Sequence, residues 1–447
     1  MVPQLTEAEP RLQRRYDRLV VAHLRNASPL AAGLHALPEV SQPLAATQAA
    51  WRFYANPRLT LPQLVEPLRE YARQVLAAQG PQTWGLIVHD WSWLHYQSHR
   101  GKKGRVVLGH RWDRGYELLS SLLVEDQQGA PLAVVSQGLR DAAGWHGTGE
   151  AGVRRAGSSL DDLTRQMQEV AGLGLGRSLV HIIDREADSV DHYRRWEKAG
   201  HRFLVRADDQ PQVRYQGQVR ALRSVAKKLR RAGSLRPQGT PVTYHGVEAW
   251  RWVGEATVIL ERPALRRQKV KGRVRQRTIP GPALTLRLVV CEVRDAQGRR
   301  LARWLLLSNL PAAVPADTVA LWYYWRWRIE SYFKLLKQAG QQVENWQQET
   351  AASVARRLLV AAAAAVVVWQ LARAPQPGAA ELRGLLVRLS GRQMKRGPTA
   401  PGFTAPALLA GLEVLLPMLA LLEDHDLNHV RVLAQSVLPL LPRKDSG

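Results

Sequence analysis

The arrangement of hydrophobic and polar residues changes near residue 80. Before that point, prolines divide the chain into short pieces with little of the alternation that is typical of strands. The stretch WRFYANPRL at residues 51–59 is rich in aromatic residues, and the charge through Arg73 is nearly balanced. This region is predicted to be a small helical domain.

After residue 80, short apolar runs alternate with turn residues, which is typical of strands. Such runs occupy residues 84–90, 115–126 and 131–139. Residues 161–175 have helical spacing and end on glycines, and residues 179–184 (LVHIID) form a β-branched run of the buried-strand type. Three meander strands, a crossover helix and a further strand predict a mixed α/β sheet.

Two of these apolar runs end in an aspartate, LIVHD at Asp90 and LVHIID at Asp184. Ligands of open α/β sheets bind at the carboxyl ends of the strands. Each aspartate taken alone is equally typical of a turn or a helix cap. Their functional interpretation therefore depends on the rest of the chain.

Residues 207–303 are strand-like but irregular, and they carry the densest charge. Residues 262–277 include eight Lys or Arg and no acid, and KKLRR occupies residues 227–231. Like charges repel, so a disordered solvated loop and a phosphate-binding segment both remain open for residues 262–277. Residues 303–310 return to a strand pattern, and Asp317 is predicted to cap a long helix with no break before Gly340.

Composition narrows the class of protein. The chain has 63 Lys and Arg against 38 Asp and Glu, a net charge of +25, which favours a polyanionic partner such as nucleic acid. With 45% hydrophobic residues it has enough apolar material for a core, and its single cysteine, Cys291, excludes an internal disulfide and a Cys-based zinc cluster. The apolar run at residues 358–369 is shorter than the roughly 20 residues that span a bilayer, so it predicts a buried helix. We expect a soluble cytoplasmic protein without a targeting segment or a membrane partner.

The long predicted helix contains an unusual polar stripe. Its residues are spaced 3, 4 and 7 apart, so on one helix they fall within about 60° of each other. Several tryptophans interleave with the stripe, and these are costly to leave in water. Aromatic and basic groups around a carboxylate suit a site that holds a phosphodiester with displaced bases. The stripe consists of Tyr323, Arg326, Glu330 and Lys337, and the tryptophans are Trp322, Trp325 and Trp327.

This pattern, Y-x2-R-x3-E-x6-K, and the DRE at residues 184–186 resemble the DDE cut-and-paste transposases of bacterial insertion sequences, in the branch that excises its element through DNA hairpins. The resemblance extends over most of the chain. It includes WRFYANPRL, HDWSWLHY around Asp90, FLVRADD, RWLLLSNL and GRQMKRGPTAPGFTAPALLAGLE.

The resemblance implies an α/β fold with an RNase H-like mixed-sheet core, interrupted by a β-strand insertion and flanked by helical domains. The implied division is a helical N-terminal DNA-binding domain at 1–80, the first part of the core at 81–206, a basic β-rich insertion at 207–303, the second part of the core with the Glu helix at 304–373, and a helical C-terminal dimerisation region at 374–447.

The same resemblance implies that Asp90, Asp184 and Glu330 hold two Mg²⁺ ions, with Mn²⁺ as a substitute. Two such ions suit the in-line cleavage of a phosphodiester, because they stabilise both the attacking and the leaving oxygen. The implied partners are double-stranded DNA, as element ends and as target, and a second copy of the chain in the synaptic complex. The implied place of action is the bacterial cytoplasm, at the nucleoid.

Further residues receive roles in the same way. Tyr323, Arg326 and Lys337 match residues that hold the DNA backbone, and Trp304 and Trp327 match residues that stack on or replace an extruded base; Trp304 is also readily explained as a core residue. Arg206 is a weaker DNA-binding candidate, and Glu186 and Asp188 either support the metal ligands or cap a helix. The histidines show no zinc-ligand spacing. Two other functions stay open: a nuclease of the same fold that does not join strands, and a catalytically silent DNA-binding derivative or inhibitor.

Overall fold

The computed structural model describes residues 4–5, 9–25, 43–80, 83–270, 273–337, 339–391 and 403–437. Residues 392–402, within the stretch GRQMKRGPTAPGFTAPALLAGLE, and the last ten residues of the predicted C-terminal region lie outside the described residues. The chain divides into two compact units. One comprises residues 1–59, 96–103 and 332–447, and the other comprises residues 60–95 and 104–331.

The unit formed by residues 60–95 and 104–331, called the sheet unit below, is built on a 14-stranded mixed sheet. The strand order is β10-β9-β12-β15-β16-β8-β7-β1-β3-β4-β5-β6, with β11 beside β12 and β2 beside β3. The strands are β1 (Trp84–His95), β2 (Val106–Val107), β3 (Arg114–Glu125), β4 (Pro131–Arg140), β5 (Trp145–Gly147), β6 (Val153–Arg154), β7 (Ser178–Ile183), β8 (Arg202–Arg206), β9 (Gln212–Tyr215), β10 (Gln218–Ala221), β11 (Arg236–Tyr244), β12 (Val247–Leu260), β15 (Leu284–Asp295) and β16 (Arg300–Ser308).

The centre of this sheet is parallel and its flanks are antiparallel. Strand β7 pairs in parallel with β1 and with β8, whereas β1 pairs with β3 and β8 pairs with β16 in antiparallel fashion. The apolar runs lie where the sheet is covered, because nearly every residue of β4 and of the second half of β3 is buried. The mixed sheet predicted from the hydrophobic pattern is confirmed, and it is consistent with an RNase H-like DDE domain.

Helices cover this sheet: α3 (Leu61–Ala78), α4 (Ser159–Ala171), α5 (Val190–Lys198), α6 (Leu222–Arg231), α7 (Ala316–Tyr324) and the first residues of α8 (Trp327–Leu336). Their ends follow ordinary capping chemistry. Thr60 and Gln63 form a capping box on α3, and the Ser158 side chain accepts a hydrogen bond from the Asp161 amide at the start of α4. A large apolar cluster packs α4, α5 and α6 against the central strands.

Residues 264–270 and 273–277 of the basic stretch at residues 262–277 have a regular backbone in the structure. Strands β13 (Ala264–Val270) and β14 (Arg273–Ile279) pair with each other in a separate two-stranded sheet. Both ends of this hairpin are held by Arg194 on α5, which donates hydrogen bonds to the carbonyls of Arg262 at 3.0 Å and Pro282 at 2.8 Å. Of the two possibilities for this stretch, the disordered loop is therefore wrong for the backbone.

The long helix predicted from Asp317 to Gly340 is wrong. The first residue of α7 is Ala316, its N-cap is Pro315, and it ends at Tyr324; α8 then begins at Trp327. The amide of Arg326 bonds to the carbonyl of Tyr323 and that of Ile329 to Arg326, which is the tighter i to i−3 pattern. Trp325 in this turn is buried, and its indole packs directly on Gly129, so tertiary packing outweighs the helical spacing of the sequence.

The other unit is helical within the described residues. It contains α1 (Pro10–Arg25), α2 (Pro43–Ala55), the end of α8, α9 (Ala351–Arg373), α10 (Ala379–Leu389), α11 (Ala405–Asp424) and α12 (Leu427–Val437). Two of these helices, α9 and residues 405–423 of α11, are long and apolar enough to cross a membrane. The apolar window of α9 is 89% buried inside the protein, which confirms the buried helix predicted at residues 358–369.

Candidate active site

The point where the parallel pairing of two neighbouring strands ends brings the first two carboxylates together. Strands β1 and β7 pair as far as His89 and Ile183. Asp90 is the next residue of β1, and Asp184 is the residue that follows β7. Because this pairing ends directly before both aspartates, the two side chains share one site. The predicted carboxyl end of a strand is confirmed for Asp184 and is wrong for Asp90, because β1 continues to His95 through its pairing with β3.

Asp184 is fixed by several donors. Its Oδ1 accepts hydrogen bonds from the Arg185 amide at 2.7 Å and from the Tyr323 hydroxyl at 3.0 Å, and Arg206 Nη1 lies 3.6 Å from the same oxygen. The Arg185 contact also caps the short 3₁₀ turn at residues 185–187. Asp184 is therefore both a cap, as its position after a strand suggested, and a member of the site.

Arg326 lies at the centre of the site. Its guanidinium contacts Asp90 Oδ2 at 3.2 Å, Asp184 Oδ2 at 3.3 Å and Glu330 Oε1 at 2.7 Å. The side chain of Arg326 is only 6% exposed, so solvent screens these contacts weakly. The break between α7 and α8 makes this possible, because it places Arg326 in a turn with Glu330 one helical turn ahead. The structure thus gathers Asp90, Asp184, Glu330, Tyr323, Arg326 and Arg206 in one place.

The electrostatics differ between the two aspartates. Burial raises the pKa of Asp90 to about 7, against the opposing attraction of Arg326. Burial acts in the same direction on Asp184, but Arg326, the Arg185 amide, Arg206 and Tyr323 together hold its pKa below the usual value. Two carboxyl groups in one site therefore differ in proton affinity because their hydrogen-bond donors differ.

The donor set suits a divalent cation. Three carboxylates are the hard oxygen ligands that Mg²⁺ and Mn²⁺ prefer, and here all three converge on a single positive group. Among the residues that the structure describes, no three His, Cys, Asp or Glu side chains are placed to hold an ion as they stand. At this site the Arg326 guanidinium lies between the carboxylates, so they would have to exchange Arg326 for an ion.

An aromatic pocket lies beside Glu330. It is open to solvent, has a volume of about 500 Å³ and is lined by Thr243, Tyr244, His245, Tyr324, Trp325, Trp327, Arg328 and Ser331. The ring of Trp327 meets His245 at 5.6 Å and Tyr244 at 6.2 Å between centroids. Trp304 lies deeper, 3% exposed and 5.2 Å from the Tyr323 ring. Trp327 is therefore accessible from the pocket, whereas Trp304 packs under Tyr323.

The remaining predicted residues have other contacts. Glu186 is exposed in the 3₁₀ turn, and its negative charge contributes to the raised pKa of Asp90. Asp188 is half-buried and accepts hydrogen bonds from the Tyr193 hydroxyl at 3.2 Å and the Asp208 amide at 3.1 Å, and burial raises its pKa. Lys337 belongs to the helical unit, where its Nζ lies 3.6 Å from Glu344 Oε1. Their functional roles remain predictions.

Two features of this region were not predicted. Tyr244 is the last residue of β11, and His245 and Gly246 form the turn to β12, with positive φ values of 48° and 83°. The sequence signal for this turn is Gly246 between two strand-like runs, because glycine adopts positive φ readily. Behind the site, His89 Nε2 lies 2.8 Å from His181 Nδ1, and burial lowers the pKa of both rings, so this pair links β1 to β7 in the neutral form.

Comparison with known proteins gives one family match. Residues 157–367 match the model of the family described as transposase DDE domain. That segment includes Asp184 and Glu330, while Asp90 lies before it. No curated protein matches the chain. The match supports a DDE transposase, and the transposase DDE domain is the family to which this part of the chain is similar.

Proposed function

We propose that the protein is a transposase that cuts its element from flanking DNA by metal-dependent hydrolysis and joins the free 3′-OH ends to target DNA. The convergence of Asp90, Asp184 and Glu330 on one cationic group supports this proposal most directly. The family match to residues 157–367 supports it independently.

The three carboxylates would hold Mg²⁺, or Mn²⁺ in its place, as two ions. When bound, such ions activate the attacking oxygen and stabilise the leaving oxygen of an in-line displacement. The carboxylates cannot offer the same oxygens to Arg326 at the same time. The guanidinium of Arg326 would then donate hydrogen bonds to a DNA phosphate, because its planar N–H groups fit two phosphate oxygens.

Tyr323 and Arg206 are proposed to help bind the backbone. Their contacts with Asp184 Oδ1 support this, because they put both side chains beside the carboxylates. Lys337 is proposed to bind the same DNA from the helical unit. In the hairpin route, the 3′-OH attacks the opposite strand, which requires a sharp bend with a displaced base. The pocket of Trp327, Tyr244 and His245 offers rings on which that base would stack, at about 1–3 kcal/mol per base. For Trp304 the proposed contact requires Tyr323 to move first, because Tyr323 packs against it.

We also propose that two copies assemble on a pair of element ends, in the bacterial cytoplasm. The C-terminal helices α11 and α12 support this assembly, because they expose an apolar face that is costly in water. The exposed side chains of this face are Val414, Met418, Leu419, Leu421, Leu422, Leu427 and Val432. Light scattering of the protein with and without DNA that carries the element ends would measure the assembly. Complexes that contain one copy of the chain and one DNA end under all conditions would contradict it.

Cleavage by an Asp184→Ala variant is the direct test. The substrate is a supercoiled plasmid that carries the DNA on both sides of the coding region, with Mg²⁺. The wild type should cut at the inverted repeats, whereas the variant should cut below detection and still bind this DNA. Arg214→Gln serves as a control, because Arg214 pairs with Glu261 on the surface of the same unit. An Asp184→Ala variant that cuts at the wild-type rate would refute the proposal.

A second assay separates joining from cutting. Pre-cleaved ends with a free 3′-OH are supplied with target plasmid and Mg²⁺, and joined products are scored. Joining is expected for a transposase. Cutting without joining would assign the protein to the nucleases of this fold, and DNA binding without either activity would identify a silent derivative.

A further inference from the structure

Strand β1 continues past the candidate active site as the edge of an arm. From Asp90 to His95 it pairs only with β3 within the described residues, because its pairing with β7 ends at His89. The chain returns to β3 through residues 104–113 of the same unit, which include β2. Residues 90–95 and 104–120 are called the β1–β3 arm below. The part of β1 that belongs to the arm therefore begins at Asp90, in the candidate active site.

The arm exposes two tryptophans, which is unusual for residues of this size. Trp112 is 65% exposed and Trp93 is 45% exposed. The turn that carries Trp112 is ordered by hydrogen bonds from the Leu108 amide to the Asp113 carbonyl at 3.0 Å and from the Asp113 amide to the His110 carbonyl at 2.9 Å. The ring of Trp93 packs on Gly109, where an added Cβ would lie 2.5 Å from the indole. The two tryptophans therefore belong to one surface.

This surface is also basic. Residues 104–116 contain three arginines and one acid, Asp113. The Arg111 guanidinium carbon lies 4.7 Å from the centre of the Trp112 ring, and Arg111 and Arg114 are both exposed. An exposed aromatic face surrounded by positive charge suits a nucleobase with its phosphate, since every base offers a π-face and arginine contacts the backbone. A protein partner that buried this face would have to supply carboxylates for the arginines.

We propose that the β1–β3 arm binds unpaired DNA beside the cut, with a base stacked on Trp112 and the neighbouring phosphates on Arg111 and Arg114. This inference rests on the proposed function. Trp93 is three positions after Asp90 in the sequence, which is about 10 Å along a strand. This distance corresponds to about three base-pair steps of DNA. Trp93 projects from the face of β1 opposite to Asp90. The strand bound by the arm therefore differs from the strand held at the carboxylates.

Two substitutions at Trp112 separate stacking from general hydrophobicity. Binding is measured by fluorescence anisotropy with a labelled single-stranded (dT)20 oligonucleotide and with a blunt duplex of the same length. Trp112→Leu should weaken (dT)20 binding about tenfold and leave duplex binding within about twofold, because only unpaired bases can stack. Trp112→Phe should keep (dT)20 binding within about threefold of the wild type.

The matched control is Trp252→Leu. Trp252 also faces an arginine, with the Arg294 guanidinium carbon 4.5 Å from its ring, but Arg294 is paired with the carboxylate of Glu292. Its replacement should leave (dT)20 binding unchanged. The inference is overturned if Trp112→Leu binds (dT)20 like the wild type, if Phe and Leu at 112 weaken it equally, or if single-strand and duplex binding fall together.

Photocrosslinking gives an independent readout on the unmodified protein. An oligonucleotide that carries 5-iododeoxyuridine should crosslink to the peptide that contains Trp112, and crosslinks confined to other peptides would overturn the inference. The plasmid assay with Asp184→Ala is unaffected by these outcomes. If Asp184→Ala abolishes cleavage as expected and Trp112→Leu binds (dT)20 like the wild type, the DNA-binding role of the arm is rejected and the proposed activity is retained.

Discussion

The carboxylate site and the β1–β3 arm both include residues of β1, but their charged side chains are arranged in opposite ways. At Asp90, a buried arginine is surrounded by three carboxylates at 2.7 to 3.3 Å. A few residues later, exposed arginines surround an exposed tryptophan with a single acid nearby. The difference follows from the sheet, because within the described part of the chain β1 has strand partners on both sides up to His89 and on one side afterwards. Burial thus accompanies the carboxylate cluster, and exposure accompanies the basic aromatic surface.

Glu330→Gln should cause the largest effect on the carboxylate side of this comparison. The substitution keeps the size of the side chain and removes its charge, so the loss of a metal ligand should lower the cleavage rate by at least about 10³-fold, equivalent to about 4 kcal/mol. Plasmid cleavage measures the rate, and circular dichroism checks the fold. A folded variant with near-normal cleavage would exclude Glu330 from catalysis.

Arg326→Gln should destabilise the protein when no divalent cation is present. The variant leaves three carboxylates without their shared partner, and the loss of one member of a buried ion pair typically costs about 3–5 kcal/mol. Added Mn²⁺ should raise the melting temperature of the variant more than that of the wild type, because ion and guanidinium no longer compete. Arg214→Gln, at an exposed pair, should leave the melting temperature unchanged. Equal shifts with Mn²⁺ in variant and wild type would show that Arg326 and the ion do not compete.

Asp90 should make stability fall as pH rises. Its pKa is raised to about 7 in the folded protein from an ordinary value of 3.8, so between these values the folded state holds a proton that the unfolded chain has released. The free energy of unfolding therefore decreases with pH in this interval, by at most about 1.4 kcal/mol per pH unit. Urea unfolding at pH 5 and pH 7 without metal measures the slope. Asp90→Asn should flatten it, and an unchanged slope would contradict the assignment to Asp90.

Arg111→Gln should have the smallest effect. On the arm it removes one phosphate contact, so the slope of log K for (dT)20 against log salt should become less steep by about 1 at most. Stability should stay the same, since Arg111 is exposed. A change in melting temperature with an unchanged salt slope would place Arg111 among the structural residues and weaken the contrast between the two regions.

The two aspartates were predictable from the sequence, and the centre of the site was not. Asp90 and Asp184 each follow an apolar run that indicates a strand, although only Asp184 lies directly after a strand end, because β1 continues to His95. The position of Arg326 depends on the break between α7 and α8, and that break depends on the packing of Trp325 against Gly129, a contact between distant parts of the chain. Local helical spacing contains no information about such a contact, so it placed Tyr323, Arg326, Glu330 and Lys337 on one continuous helix.

The residues around the aromatic pocket could not all be predicted for the same reason, because they come from distant parts of the chain. Trp327 was singled out by its place beside Arg326, but its neighbours Tyr244 and His245 come from a hairpin turn about 80 residues earlier. The turn itself was readable from the positive-φ preference of Gly246. The register of β12, β15 and β16 brings that turn to the site, and this register could not be predicted from the sequence.

Between β12 and β4, the sheet is narrowest where β16 meets β8. Only three residue pairs join them there, Leu306 with Arg206, Leu307 with Val205 and Ser308 with Leu204, while twelve pairs join β12 to β15. Local opening of a protein follows the weakest joints between its cooperative parts. Amide hydrogens at this joint should therefore exchange with solvent before those of β12 and β15. Arg206 is at this joint and also contacts Asp184. Transient opening of the joint should therefore disturb the side chains beside the carboxylates.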